Sequence, residues 1–283
     1  MLPLVAGCGG APRRQATPLQ VVDDLADTVR LSRPAIRIVS LSPASTELLF
    51  AIGAGSSVVG RTRWCDYPAA AAEVPSVGDG IQPSVEAVVA KKPDLVVLYK
   101  SGQNDPARQQ LNRLGIATVV LALDRIEEFE HAAGILGTLT GHGVDADTMV
   151  AGLKRRLAAA TVPAAVSVPT VLIVVWDQPP MTIGQGSFLS DIVERAGGRN
   201  LFSDLAASAG VISVESVVAR HPDLILVTSD STPAFARRAE WQTVAAVRQS
   251  RFVHVNSSAF NRPSPRMPEA ITELAGQLKA MRE

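Results

Sequence analysis

A fifteen-residue stretch occurs twice in this chain, and no other feature restricts the fold as much. Ser84 to Leu98 returns as Ser213 to Val227, 129 residues further on, with nine of the fifteen positions identical. That spacing is too long for a solenoid repeat and suits one small domain, so the chain reads as two lobes of similar plan with a cleft between them. Each copy reads as a short helix followed by a buried strand. Ser84 and Ser213 can cap the helix starts. Glu86 and Glu215 fall in the first turn, where a carboxylate meets the positive end of the helix dipole. Lys92-Pro93 and His221-Pro222 end the helices, because the residue before a proline avoids right-handed helical backbone. The apolar run after each Asp-Leu pair then reads as a strand of a parallel sheet covered on both faces.

The segments around the two copies fit the same plan. Leu19 to Leu31 reads as a hairpin or a pair of edge strands, turning at Asp23-Asp24. A strand over Arg37–Leu41, a helix from about Thr46 to Ile52 and a strand over Val58–Gly60 precede the first copy. A helix at Pro106–Leu114 and a strand at Thr118–Leu123 follow it. Ile126–Thr140 and Asp145–Ala160 read as helices broken at Gly141-His142-Gly143, the second being the rigid connection between lobes. Beyond it come a strand at Val171–Val175, a loop at Trp176–Pro180 and a helix at Ser187–Ala196. After the second copy, Pro233–Val247 reads as helical, Phe252–Val255 as a strand, Asn256–Pro268 as a loop and Glu269–Met281 as the last helix. The expected class is α/β: two similar lobes, each a parallel sheet flanked by helices, joined by one long helix. The expected bounds are 19–125 and 164–283 for the lobes and 126–163 for the connection.

Lys plus Arg and Asp plus Glu both number 27, which argues against a nucleic-acid partner, since such a partner needs a basic footprint. No apolar run approaches the length that spans a bilayer. Leu4-Val5-Ala6-Gly7-Cys8 has the small-residue pattern of a bacterial lipobox, which makes Cys8 the expected lipidation site. Only seven residues precede it, without a basic region or full apolar stretch, so 1–18 reads as a truncated lipoprotein signal and tether.

Ligands of open α/β sheets bind beyond the carboxyl ends of the strands. The loops there are Ser42–Ser45, Arg61–Tyr67, Tyr99–Asn104, Trp176–Pro180 and Asn256–Arg266. Only 4% of the chain is aromatic, yet Trp64, Tyr67, Tyr99, Trp176 and Phe260 all fall in or beside these loops. They read either as the lining of a cleft for a large, flat, partly apolar ligand or as caps on the core. Trp241, inside a helix, reads as packing. Arg61, Arg63, Arg262 and Arg266 read as contacts to an anionic ligand group or as solvated charge. The four His are scattered, with no zinc spacing, and no nucleophile elbow is present. Catalysis therefore has little support.

Four segments taken in order carry a resemblance. They are Arg37 to Glu47 (Arg-Ile-Val-Ser-Leu-Ser-Pro-Ala-Ser-Thr-Glu), Trp64-Cys65-Asp66-Tyr67-Pro68, Pro93-Asp94-Leu95 and Asn261-Arg262-Pro263-Ser264-Pro265-Arg266. With them the chain, over about 19–283, resembles the substrate-binding proteins of ABC importers for cobalamin, ferric siderophores and haem. The cobalamin-binding branch is the most similar. The resemblance implies two α/β lobes, ligand held between them, and delivery to a membrane permease with its ATPase. By position, Pro43, Trp64 and Arg262 match ligand contacts of that family, and Trp176 does so more loosely. Glu86 and Glu215 match the acidic pair that docks on the permease. Ala209-Gly210 stands where cobalamin binders place an aromatic, and Gly78–Gln82 also lacks one. The expectation is a lipid-anchored, extracytoplasmic binding protein for cobalamin or a related corrinoid, with no cofactor of its own and no bond chemistry. A ferric-siderophore binder is the alternative within the class, and an enzyme acting on a bound metal chelate is the alternative outside it.

Overall fold

The computed structural model describes residues 18–163 and 167–282. Cys8 and its tether lie outside the described residues. In the N-terminal lobe Leu19–Val22 (β1) and Thr28–Leu31 (β2) form an antiparallel hairpin. Its turn is fastened to the sheet by two carboxylates: Asp23 accepts from the Val120 N–H at 3.0 Å and Asp24 from the Ala122 N–H at 2.7 Å. Ile38–Ser40 (β3), Pro43–Ala51 (α1), Val58–Arg61 (β4), Ala69–Ala72 (α2), Val85–Val89 (α3), Leu95–Tyr99 (β5), Asp105–Arg113 (α4) and Ala117–Leu121 (β6) complete the lobe. The sheet runs β4-β3-β5-β6, all parallel.

Ile126–Thr140 (α5) and Gly143–Ala160 (α6) follow, separated by Gly141 at φ 77°. The C-terminal lobe contains Thr170–Asp177 (β7), Pro180–Ile183 (β8), Phe188–Arg195 (α7), Arg199–Asn200 (β9), Ala209–Val211 (β10), Val214–Arg220 (α8), Leu224–Val227 (β11), Ala245–Arg248 (α9), Phe252–His254 (β12) and Met267–Ala280 (α10). Its sheet runs β10-β8-β7-β11-β12, with β9 beside β7.

The two copies of the repeat become α3–β5 and α8–β11, and they use the same devices. Ser84 and Ser213 each accept the N–H three residues on, both at 3.2 Å. Lys92 and His221 leave the helix in left-handed backbone, at φ 49° and 50°. The prolines that follow do exclude right-handed helix there, as expected, but the escape is left-handed rather than extended. The aspartate after each proline ties its strand to the start of an earlier strand beside it in the sheet. Asp94 accepts from the Ile36 and Arg37 N–H groups, and Asp223 from the Thr170 N–H and hydroxyl. Repetition of Pro-Asp-Leu thus sets the register of β5 against β3 and of β11 against β7.

Three expectations are corrected. Trp176–Pro180 is not a loop: Trp176 and Asp177 end β7, Pro180 begins β8, and only two residues turn between antiparallel strands. The C-terminal sheet is therefore mixed, because β8 and β10 run antiparallel. Pro233–Val247 is not one helix but two 3₁₀ turns and the four residues of α9, since Phe235, Trp241 and Val247 must all turn inward to a single core.

The largest buried cluster runs without a break from Leu48 and Leu121 through Phe129, Leu136, Leu153 and Leu157 to Leu274 and Leu278. The 18-residue α6 lies along this cluster, about 27 Å long at 1.5 Å per residue. No described helix is long and apolar enough to cross a membrane.

Candidate functional site

The carboxyl ends of β3 and β5, the end of β8 and the start of α7 bring the two lobes face to face around a cavity of about 390 Å³. Ser42, Pro43, Tyr99 and Asp124 line it from one lobe, and Val175, Ile183, Phe188 and Ala209 from the other. Arg262, from the segment after β12, closes the set. Two glycines permit the close approaches beside it. A Cβ on Gly80 would lie 2.1 Å from the Leu41 carbonyl, and one on Gly184 would lie 2.1 Å from that of Ala207.

Electrostatics tie the lobes together at one wall. Glu47 on α1 has a side chain only 1% exposed. Arg262 Nε donates to Glu47 Oε1 at 2.7 Å, and Arg266 donates to both carboxylate oxygens, at 2.7 and 3.0 Å. Arg262 also donates to Asp66, and the Arg266 guanidinium sits 4.0 Å from the centre of the Tyr67 ring. Two carboxylates thus face two guanidiniums. Burial works against charge on both Arg262 and Asp66. The hydrogen bonds and charges around them together outweigh it: Glu47 and then Asp66 keep Arg262 charged, and Arg262, the backbone N–H of Asp66 itself and Arg266 hold Asp66 below the usual carboxylate range.

A second seam lies at the other wall. The Phe188 N–H donates to the Asp124 carbonyl at 2.7 Å, linking α7 to the loop before α5. Tyr99 donates its hydroxyl to Asp124 at 2.6 Å, and burial together with that carboxylate pushes the phenol's pKa upward. Asp191 on α7 is raised by burial and by the like charges of Glu127 and Glu194, against the pull of Arg195 and Arg125.

The expected ligand residues divide into three groups. Pro43, Tyr99 and Arg262 line the interlobe cavity. Trp64, Tyr67 and Trp176 stand exposed, at 61%, 43% and 62%. Trp64 donates to Asp79 at 3.4 Å beside Arg63, and Trp176 lines a neighbouring cavity of about 440 Å³ that shares Val175 with the first. Phe260 leaves the set: it is fully buried in the main core, because the 3₁₀ turn Ser258–Phe260 points its ring inward. Arg61 is also corrected, since its guanidinium is spent on the carbonyls of Val74, Thr62 and Ala72. Glu86 and Glu215 are exposed in the first turns of α3 and α8. The Glu215 carboxyl is held low by its own backbone N–H and by Ser213.

Sequence reasoning missed Glu47 and Asp124 as site residues. A signal existed for Glu47: it is the sole charged residue between Arg37 and Arg61. A lone carboxylate in so apolar a segment must find a partner or leave the core. Asp124 carried no such signal, because its partner Tyr99 is 25 residues away.

The family model described as "Periplasmic binding protein" matches residues 38–259. A vitamin B12-binding protein of Salmonella paratyphi A is 31% identical over 245 residues, 86% of this chain and 90% of that one. Among solved structures, the periplasmic vitamin B12 binding protein of Vibrio cholerae superposes with a TM-score of 0.68 at 24% identity, covering 88% of this chain and 99% of that chain. The apo periplasmic heme-binding protein of Roseiflexus sp. RS-1 superposes with a TM-score of 0.78 at 22% identity, covering 87% and 99%. At those identities the two structures speak for the fold.

Proposed function

The chain belongs to the periplasmic binding protein family, and on that premise we propose that it captures cobalamin or a related corrinoid for an ABC importer and delivers it to the membrane permease and ATPase. The observation that carries this reading is the 31% identity, over 86% of the chain, to a protein named for vitamin B12 binding. The cleft supports it. Pro43, Ile183, Phe188 and Val175 offer apolar surface, and Tyr99, Asp124 and Arg262 offer a few fixed polar groups, the mixture that orients a large ligand. Trp64, Tyr67 and Trp176 lie open at the surface as aromatic faces for a flat macrocycle. The function is binding, protection and handover, without bond chemistry.

Handover uses Glu86 and Glu215, which the repeat places at equivalent points of the two lobes, both exposed. A permease built of two like subunits offers two equivalent cationic sites. Two weak contacts on one stiff body act together through effective concentration, and charge pairing sets orientation. Lipidation at Cys8 keeps the protein near that permease.

Fluorescence titration with cyanocobalamin tests the reading. The corrin absorbs where tryptophan emits, so saturable quenching is expected, and Trp64→Ala should weaken binding by about 1–3 kcal/mol, as for an aromatic anchor. Quenching by a ferric hydroxamate siderophore but by no corrinoid would move the ligand to the other branch of the class.

A further inference from the structure

Beside the interlobe cavity lies the second one, of about 440 Å³, which shares Val175 alone with it. Its lining comes wholly from the C-terminal lobe: the carboxyl ends of β7 and β11 and the segment that follows β11. One side is aromatic. Trp176, near the end of β7, donates its indole N–H to the Gln178 carbonyl at 2.9 Å, which holds the exposed ring as a fixed flat face. The other side is built of hydroxyls, from Thr228, Ser229, Ser231 and Thr232. Only that of Ser229 finds an acceptor among the described residues, the Ser231 carbonyl.

The lining holds one cation, Arg237, and local packing puts it there. Asp177, the last residue of β7, accepts the N–H groups of Ala234 and Phe235, one on each carboxylate oxygen, at 2.7 and 3.1 Å. Those bonds start the 3₁₀ turn Ala234–Arg237. Phe235 is fully buried, its ring 4.3 Å from that of Trp241. At three residues per turn, Arg237 leaves the turn on a different side from Phe235 and reaches the cavity. It has no ion-pair partner and no side-chain hydrogen bond among the described residues. Arg262 in the interlobe cavity differs, since its charge is spent on Glu47 and Asp66. The acids near Arg237 are engaged elsewhere, Asp177 by the turn and Asp230 by Asn256.

A guanidinium matches the geometry of phosphate oxygens, and this one is free to take them. Free hydroxyls suit a sugar, and a fixed indole face suits a flat base. We propose that this cavity receives the nucleotide loop of a complete corrinoid, with Arg237 on its phosphodiester and Trp176 against its ribose and base. The inference rests on the corrinoid reading and deepens it. Because the cavities meet at Val175, one ligand fills both, the ring in the first and the loop in the second. Arg237 is then the residue that tells a complete corrinoid from one without the loop.

Calorimetry on the whole protein with two probes, cyanocobalamin and dicyanocobinamide, tests this. Both are neutral overall and share the corrin ring, and the second lacks phosphodiester, ribose and base. Arg237→Ala should weaken cyanocobalamin binding about three- to tenfold, between the worth of an exposed ion pair and that of a buried charged hydrogen bond. It should leave dicyanocobinamide binding unchanged, and Arg237→Lys should recover part of the loss. Added salt should shrink the preference for cyanocobalamin in wild type but not in Arg237→Ala. The melting temperature of Arg237→Ala should stay at the wild-type value, because the side chain has no partner to lose. Equal loss for both probes, or loss for neither, overturns the inference and leaves the corrinoid function standing. Inorganic phosphate that binds wild type on its own, and not Arg237→Ala, makes this a free-anion site and overturns it too. Failure of wild type to bind either corrinoid overturns both readings.

Discussion

Glu47→Gln should be among the most destabilising isosteric substitutions in this chain. The glutamate side chain is 1% exposed and receives three guanidinium hydrogen bonds, at 2.7, 2.7 and 3.0 Å, from two arginines of the segment after β12. Glutamine keeps the volume but has only one acceptor oxygen. Its NH₂ group would face a guanidinium donor. Both arginines then stay largely covered, at 13% and 19% exposure, with only the more exposed Asp66 as counterion to Arg262. Removing one partner from a buried ion cluster costs about 3–5 kcal/mol, because the remaining charge stays desolvated. With a urea slope of about 3 kcal/mol/M, the midpoint should fall by about 1–1.7 M. Urea unfolding followed by circular dichroism reads the shift. Asp66→Asn is the internal control: that carboxylate is 62% exposed, so its pair should contribute no more than about 1 kcal/mol. A loss in Glu47→Gln as small as that of Asp66→Asn would refute the claim that a buried charge cluster joins the lobes.

Asp191→Asn should behave in the opposite sense. A carboxyl whose folded pKa is raised binds its proton more tightly in the folded state, so wild-type stability falls as pH rises from the ordinary carboxylate range through the folded pKa. The variant should melt higher than wild type at pH 7 and like it at pH 3; a lower melting temperature at pH 7 would contradict this. Because α6 lies along a core shared by both lobes, closure on ligand should be small, and X-ray scattering curves with and without cyanocobalamin should nearly superimpose. A marked compaction would rule that out. Replacing Glu86 and Glu215 together with Ala should abolish uptake in cells while leaving ligand affinity and melting temperature near wild type, with each single change milder. Normal uptake by the double variant would return both residues to a helix-end role.

The repeat made the heart of both lobes readable in advance. Helix caps, proline stops and apolar strands are local signals, and Ser84, Pro93 and Leu95–Leu98 carry them within fifteen residues. The β7–β8 hairpin was not readable. Pro179-Pro180 looks like a breaker, and what makes Pro180 a strand residue is pairing with Asp177 and, one residue on, of Met181 with Val211, thirty residues away. Side-chain direction in loops was equally hidden. Trp64 and Phe260 both read as aromatics of cleft-facing loops, yet one is exposed and the other fully buried. The difference is set by a single 3₁₀ turn. Among the arginines, Arg262 and Arg266 find a buried acid and Arg61 finds carbonyls, and no property of their neighbours in sequence separates them.

One calorimetric panel bears most directly on the central claim: cyanocobalamin, haemin and a ferric hydroxamate siderophore, each titrated into the purified protein. The account predicts one cyanocobalamin bound per chain, with affinity lost in Trp64→Ala, and weak or no binding of the other two. Tight binding of haemin or the ferric chelate, with no heat from cyanocobalamin, would contradict it.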